Sequence, residues 1–244
     1  MNEDAIDIWK FLPLNYKTQQ EDEYLKFLWD SFQTNYENEK YQFAYIAYHM
    51  LFMATVYFKI WQIKTLKLDD FKKALIGFSK DKEKELLEST SPFTFSTINE
   101  SSSFRFLKII NVDNSLIGKY AKLVRDRNDV AHSNGNVFFN EQDAIDAKIL
   151  EINSSLNEIQ SFFETILKTE IDSFLKNNGD ETDWEFDDIK EQVSQILIFK
   201  NYFSSEDIEF IKKIDLASYE SLASYETISS LYEFITNEYL EADE

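Results

Sequence analysis

Apolar positions in this 244-residue chain recur mostly at helical spacing. Tyr24, Leu25, Leu28, Trp29 and Phe32 define one side of a helix over 21–37. Over 39–66 the apolar residues run almost all round, which predicts a long central helix. Shorter helices are expected over 69–78 and 80–87. The Ser/Thr-rich stretch 89–103, with Pro92, reads as a loop or an excursion between helices, and 104–110 as a continuation of what precedes it. Ser115 is expected to cap a helix through Ile117, Tyr120, Leu123 and Val124. Ser133-Asn134-Gly135-Asn136 stops it, because Gly and Asn accept the left-handed backbone that ends helices. With Asn140 as its cap, the next helix carries Ile145, Ile149, Ile152, Leu156, Ile159, Phe163 and Ile166 in alternating steps of four and three. That is a heptad seam, and it packs along another helix of this chain or of a second copy. The helix is expected to reach 175 and stop at Asn177-Asn178-Gly179. Three further helices follow at 185–200, 205–214 and 219–240.

Composition narrows the fold class. Four glycines and two prolines are too few for the many turns of sandwiches, barrels or Rossmann sheets. An all-α bundle is expected, with residues 1–176 as one helical domain and 177–244 as an acidic helical extension. The boundary rests on charge: 177–244 holds 18 acidic and 4 basic residues, whereas 59–127 holds 14 basic and 9 acidic. The chain carries a net charge of −20 overall, which disfavours nucleic acid, but local potential decides where a polyanion docks. No cysteine is present, so disulfides and thiolate metal sites are excluded. Met1-Asn2-Glu3-Asp4 is unlike a secretory leader, and a cytoplasmic location is expected. Residues 43–63 are long enough to span a bilayer, yet His49, Lys59 and several tyrosines favour a buried core helix, and no membrane partner is expected.

Three arginines serve the whole chain, and two stand beside one of its two histidines, in Arg125-Asp126-Arg127-Asn128-Asp129-Val130-Ala131-His132. Guanidinium groups hold oxyanions bidentately, and imidazole exchanges protons near neutral pH. The pairing points to phosphate chemistry. Five residues apart on an ideal helix means about 140° and about 7.5 Å, so Arg127 and His132 cannot share a regular face. Either the helix ends between them or a neighbour completes the site. The other histidine, His49, lies among apolar residues and reads as a satisfied core side chain. The carboxylate run 180–188 lacks calcium-loop spacing and reads as acidic charge entering a helix. No metal or other cofactor is expected.

Arg127 and His132 form an R-x4-H pattern near the end of one helix, followed by a long helix, and this resembles the signature of the HEPN superfamily of helical bundles. The resemblance covers roughly residues 21–176. It implies a metal-independent endoribonuclease of toxin or antiviral-defence type, giving a 2′,3′-cyclic phosphate and a 5′-hydroxyl. His132 would move the proton, Arg127 would stabilise the phosphorane, and Asn128 would position the phosphate or orient the histidine. Arg125, Lys122 and Lys119 are the expected RNA contacts. Because two such motifs commonly meet across a dimer axis, it also implies a homodimer, with an antitoxin or defence-complex protein as a further partner. The position two residues after His132, a tyrosine in some toxins of this superfamily, is Asn134 here, which puts silencing by adenylylation in doubt. Two other readings compete: a non-catalytic helical binding module of a defence or toxin–antitoxin complex, and an acidic nucleic-acid mimic.

Overall fold

A computed structural model describes residues 3–132 and 135–240. Among these the regular elements are all helices, so the chain is all-α. Ser133 and Asn134, half of the expected helix stop, lie outside the described residues. The chain forms two compact units: Met1–Trp9 with Thr18–Ile159, and Lys10–Lys17 with Gln160–Glu244. Contact thus divides the chain at 159/160, where charge had divided it at 176/177.

The first unit is built round the helix Tyr41–Leu66, whose side chains are buried on every side through its middle and end. It is long and apolar enough to cross a membrane, and 83% of its 18-residue window is buried in protein. Its neighbour Gln19–Glu37 starts at Thr18, whose hydroxyl accepts the Glu21 N–H. That helix buries Leu25, Leu28 and Phe32 of the expected stripe, with Tyr36 added, whereas Tyr24 is exposed and Trp29 half-buried. Phe32 packs on Tyr48 with ring centroids 5.0 Å apart. The Tyr48 hydroxyl donates to Asn153 at 2.7 Å, satisfying a polar tip inside the core.

The excursion 89–103 is ordered. It contains a 3-10 helix, Pro92–Thr97, and a short α-helix, Glu100–Ser103, which leads into a second 3-10 helix, Phe104–Ile110. Its aromatic residues anchor it: Phe95 and Phe104 are fully buried, and Phe93 meets Phe58 of the central helix at 5.6 Å. Serine and threonine content predicted a loop, but burial of these rings outweighs weak helical propensity.

The second unit packs Glu164–Asn177, the wide-turned π-helix Val193–Phe199 and Tyr225–Tyr239 around Leu167, Ile171, Leu175, Ile198, Ile211, Leu231 and Ile235. Ser204 and Asp207 form a capping box, and buried Asp207 also accepts from Gln160 at 2.8 Å. The helix stops at Asn177, as expected, and Gly179 just beyond it serves close packing: a Cβ there would lie 2.7 Å from the Ser224 Cβ. The expected helix over 185–200 begins at Ile189, and that over 219–240 at Tyr225. The carboxylates ahead of the former act as caps, with Asp188 accepting the Glu191 N–H and Asp180 that of Thr182.

The long helix expected over 140–175 is two, Gln142–Ser161 and Glu164–Asn177. The chain tightens where the Phe163 N–H bonds Gln160 C=O at 2.9 Å. The seam residues Ile145, Ile149, Ile152, Leu156, Ile159, Phe163 and Ile166 are all buried within the chain. The seam is therefore intrachain core and leaves no heptad face for a second copy.

Candidate functional site

The motif lies on the helix Asn114–Ala131, in the first unit. Asp113, not Ser115, caps it, accepting the Leu116 N–H at 2.9 Å. Tyr120, Ala121, Leu123, Val124 and Val130 bury one face. Arg125 is exposed on the opposite side, and Arg127 and Asn128 are half-buried. The helix stops at Ala131. His132 is its C-cap with extended backbone (φ −81°, ψ 145°), and its N–H still donates to Asn128 C=O at 3.0 Å. The imidazole is exposed. Because the bond to Asn128 C=O keeps the His132 backbone in helical register, the end of the helix does not turn the ring towards Arg127, and completion by a neighbour is the resolution that remains from spacing. Gly135 follows with φ +79°, a conformation glycine adopts without strain.

The turn after His132 is held by a residue that spacing did not flag. Gln42, at the start of the central helix, donates to Val130 C=O at 2.9 Å and accepts the Phe138 N–H at 3.2 Å. One side chain thus ties the backbone before and after the histidine. A glutamine at the start of an apolar helix carries no pattern by which it would be noticed.

Arg127 is held by Glu100, whose carboxylate accepts from Nη2. Both side chains are about three-quarters buried, at 21% and 28% exposed. The Arg127 Nε is buried with no hydrogen-bond partner among the described residues. Glu100 also raises the Tyr57 hydroxyl, secondary to burial, so its field reaches the central helix. The glutamate stands 27 residues before Arg127, in the excursion whose content predicted no site.

His49 departs from its expectation. It is fully buried, as a core histidine would be, but neither ring nitrogen has a hydrogen-bond partner among the described residues. Burial, then the charge of Arg127, lowers its pKa to about 3, against an opposing contribution from Asp126. The side chain is therefore a neutral imidazole in the same electrostatic neighbourhood as Arg127. The Tyr45 hydroxyl, one turn earlier, is likewise buried without a partner and senses Asp126, Glu151 and Arg127.

The expected RNA contacts divide. Lys119 pairs with Glu158 at 2.9 Å, and Lys122 with Asp126 at 2.6 Å, so both charges are locally offset. Asp126 also takes Lys148 at 2.8 Å; burial raises its pKa, but the two lysines outweigh that and leave it lowered. Arg125 has no ion-pair partner among the described residues. Much of the basic stretch is offset in the same way: Lys72, Lys73, Lys82 and Lys84 pair with Asp69, Asp70, Glu85 and Glu88, while Lys64 donates to Ser89. Its excess of positive charge is left chiefly at Arg105, Arg125 and a few lysines. No family model, curated protein or solved structure matches the chain.

Proposed function

We propose that this chain is a metal-independent endoribonuclease of the HEPN type, acting in a toxin or antiviral-defence role. The observation that carries the reading is the placement of the motif at a helix end, with Arg127 half-buried on Asn114–Ala131 and the exposed His132 as its C-cap. In the proposed step the His132 imidazole takes the proton of a ribose 2′-hydroxyl. The 2′-oxygen bonds to the adjacent phosphorus, the bond from phosphorus to the 5′-oxygen breaks, and a proton is delivered to that oxygen. Arg127 stabilises the extra charge on the phosphorane. Glu100 holds Nη2, so a substrate phosphate engages the guanidinium in competition with that carboxylate. Asn128, half-buried beside them, orients the phosphate.

Pairing of two copies brings a second motif to the site. With the heptad seam consumed internally, the surface that supports pairing lies beside the motif turn, where Phe43, Val137 and Phe138 are 60%, 66% and 39% exposed. Grouped apolar exposure of this kind marks association surfaces.

The test is RNA cleavage by purified protein in EDTA, with Arg127→Ala and His132→Ala alongside. Loss of a general acid–base group costs roughly 10²–10⁴-fold in rate, and each variant is expected to fall by that order. Parental cleavage retained in either variant rejects the assignment.

The Arg127–Glu100 pair favours a second reading. A guanidinium satisfied by a carboxylate also suits a non-catalytic helical module, in which the motif only joins the excursion to its neighbouring helix. That reading predicts no cleavage of any RNA by the wild type, together with a stable protein partner recovered by affinity capture.

A further inference from the structure

The third arginine lies away from the motif. Arg105, on the 3-10 helix Phe104–Ile110, is exposed and lines a cavity of about 470 Å³. The walls include Lys82, Asn99, Ser102, Phe78 and Phe106, and no carboxylate is among the lining residues. In a chain of net charge −20, a concavity lined by two cations and no acid is unusual. Lys82 shares its charge with Glu85 at 2.6 Å, whereas Arg105 has no ion-pair partner among the described residues. The Asn99 amide and the Ser102 hydroxyl make no side-chain hydrogen bond among the described residues and are available to a ligand.

The apolar part of the cavity has a definite shape. Phe71, Phe106 and Phe78 form a run of near-parallel rings, with centroids 4.9 and 6.3 Å apart and interplanar angles of 19° and 11°. The run starts at fully buried Phe71 and ends at half-buried Phe78. A flat aromatic group laid against the last ring continues such a stack. Gly77, at φ +104°, precedes Phe78, lines the same cavity, and has no atom within 4 Å of where a Cβ would stand.

We infer that the Arg105 cavity binds a nucleoside phosphate unit, with the base on Phe78 and the phosphate on Arg105, assisted by Lys82, Asn99 and Ser102. A guanidinium suits phosphate, an aromatic face suits any base, and a pocket of this volume accommodates one nucleotide. Two sources present this chemistry: a free mononucleotide, or one residue of an RNA chain. The site is independent of Arg127 and His132 and stands whether or not the motif cleaves RNA. It also adjoins the motif's own chemistry in sequence, since Glu100, which holds Arg127, is five residues before Arg105.

The experiment is calorimetric titration of the full chain carrying His132→Ala, so that cleavage cannot interfere. Adenosine 5′-monophosphate forms one arm and a four-residue oligoadenylate the other, and each is repeated with Arg105→Gln and with Phe78→Ala. Circular dichroism confirms that both variants fold. Binding in either arm that weakens roughly tenfold with Arg105→Gln, and also weakens with Phe78→Ala, is the expected result. Binding of the mononucleotide identifies a free-nucleotide site, and binding of the oligomer alone identifies an RNA subsite. Absence of binding in both arms, or affinity that neither substitution changes, overturns the inference.

Discussion

Glu100 and a phosphate are rivals for one guanidinium. If Arg127 serves a scissile phosphate, a substrate must compete with a carboxylate already in place. Glu100→Gln keeps the shape and removes the charge. Single-turnover cleavage in EDTA is expected to rise by roughly threefold to tenfold, since a charge-assisted bond gives way to a neutral one. A slower variant would show that Glu100 orients Arg127 productively, and the rivalry would be discarded. The same scale holds a pH effect. Burial lowers the His49 pKa from 6.5 to about 3, so the unfolded chain binds the proton that the native chain refuses. Stability from this group is complete above about 6.5 and lost as pH falls towards 3, with a slope of at most about 1.4 kcal/mol per pH unit. Urea unfolding of the wild type and His49→Leu between those limits checks this: the variant should show the shallower acid slope. Parallel slopes would mean His49 gains a proton without cost.

At the scale of elements, helices were readable because a buried stripe at helical spacing is a local property. The central helix, and Leu25, Leu28 and Phe32 of Gln19–Glu37, are buried where the pattern put them. Errors fall where side-chain burial overrides propensity. Ser115 reads as well as Asp113 for a cap, and only the bond to the Leu116 N–H separates them. The polar excursion 89–103 folds because its few rings find a core. Candidate site residues show the same division. Arg127 and His132 stood out by scarcity and spacing, whereas Glu100, Gln42 and the unpartnered ring of His49 had no local mark. Gln42 acts through the motif turn, as a positioning residue. Gln42→Ala is expected to lower the cleavage rate roughly tenfold while KM stays near the parental value, because misplacing the histidine weakens the transition state more than the bound state. Faster amide exchange at Phe138 should accompany it; a loss confined to global stability would reduce Gln42 to a structural residue.

For the whole molecule, the question is how one motif per chain becomes a complete site. Light scattering after size exclusion should give twice the mass of one chain, and Val137→Asp beside the motif turn should return the mass to that of one chain. Substituting Asp at Leu150, 51% exposed on the helix Gln142–Ser161, is the control for surface charge and should leave the mass unchanged. A monomeric wild type would remove the twofold site from the proposal and leave each motif to act alone.

Helix content, the existence of a heptad seam and the scarcity of arginine follow from composition and periodicity, which are written in neighbouring residues and need no partner from afar. The division of the chain at 159/160, the carboxylate that holds Arg127, and the glutamine that clamps the turn depend on residues tens of positions apart. Such pairings carry no periodic signature: they exist once packing has chosen which helix faces meet. A one-dimensional pattern specifies which side of each helix is buried, and the three-dimensional contacts specify against what.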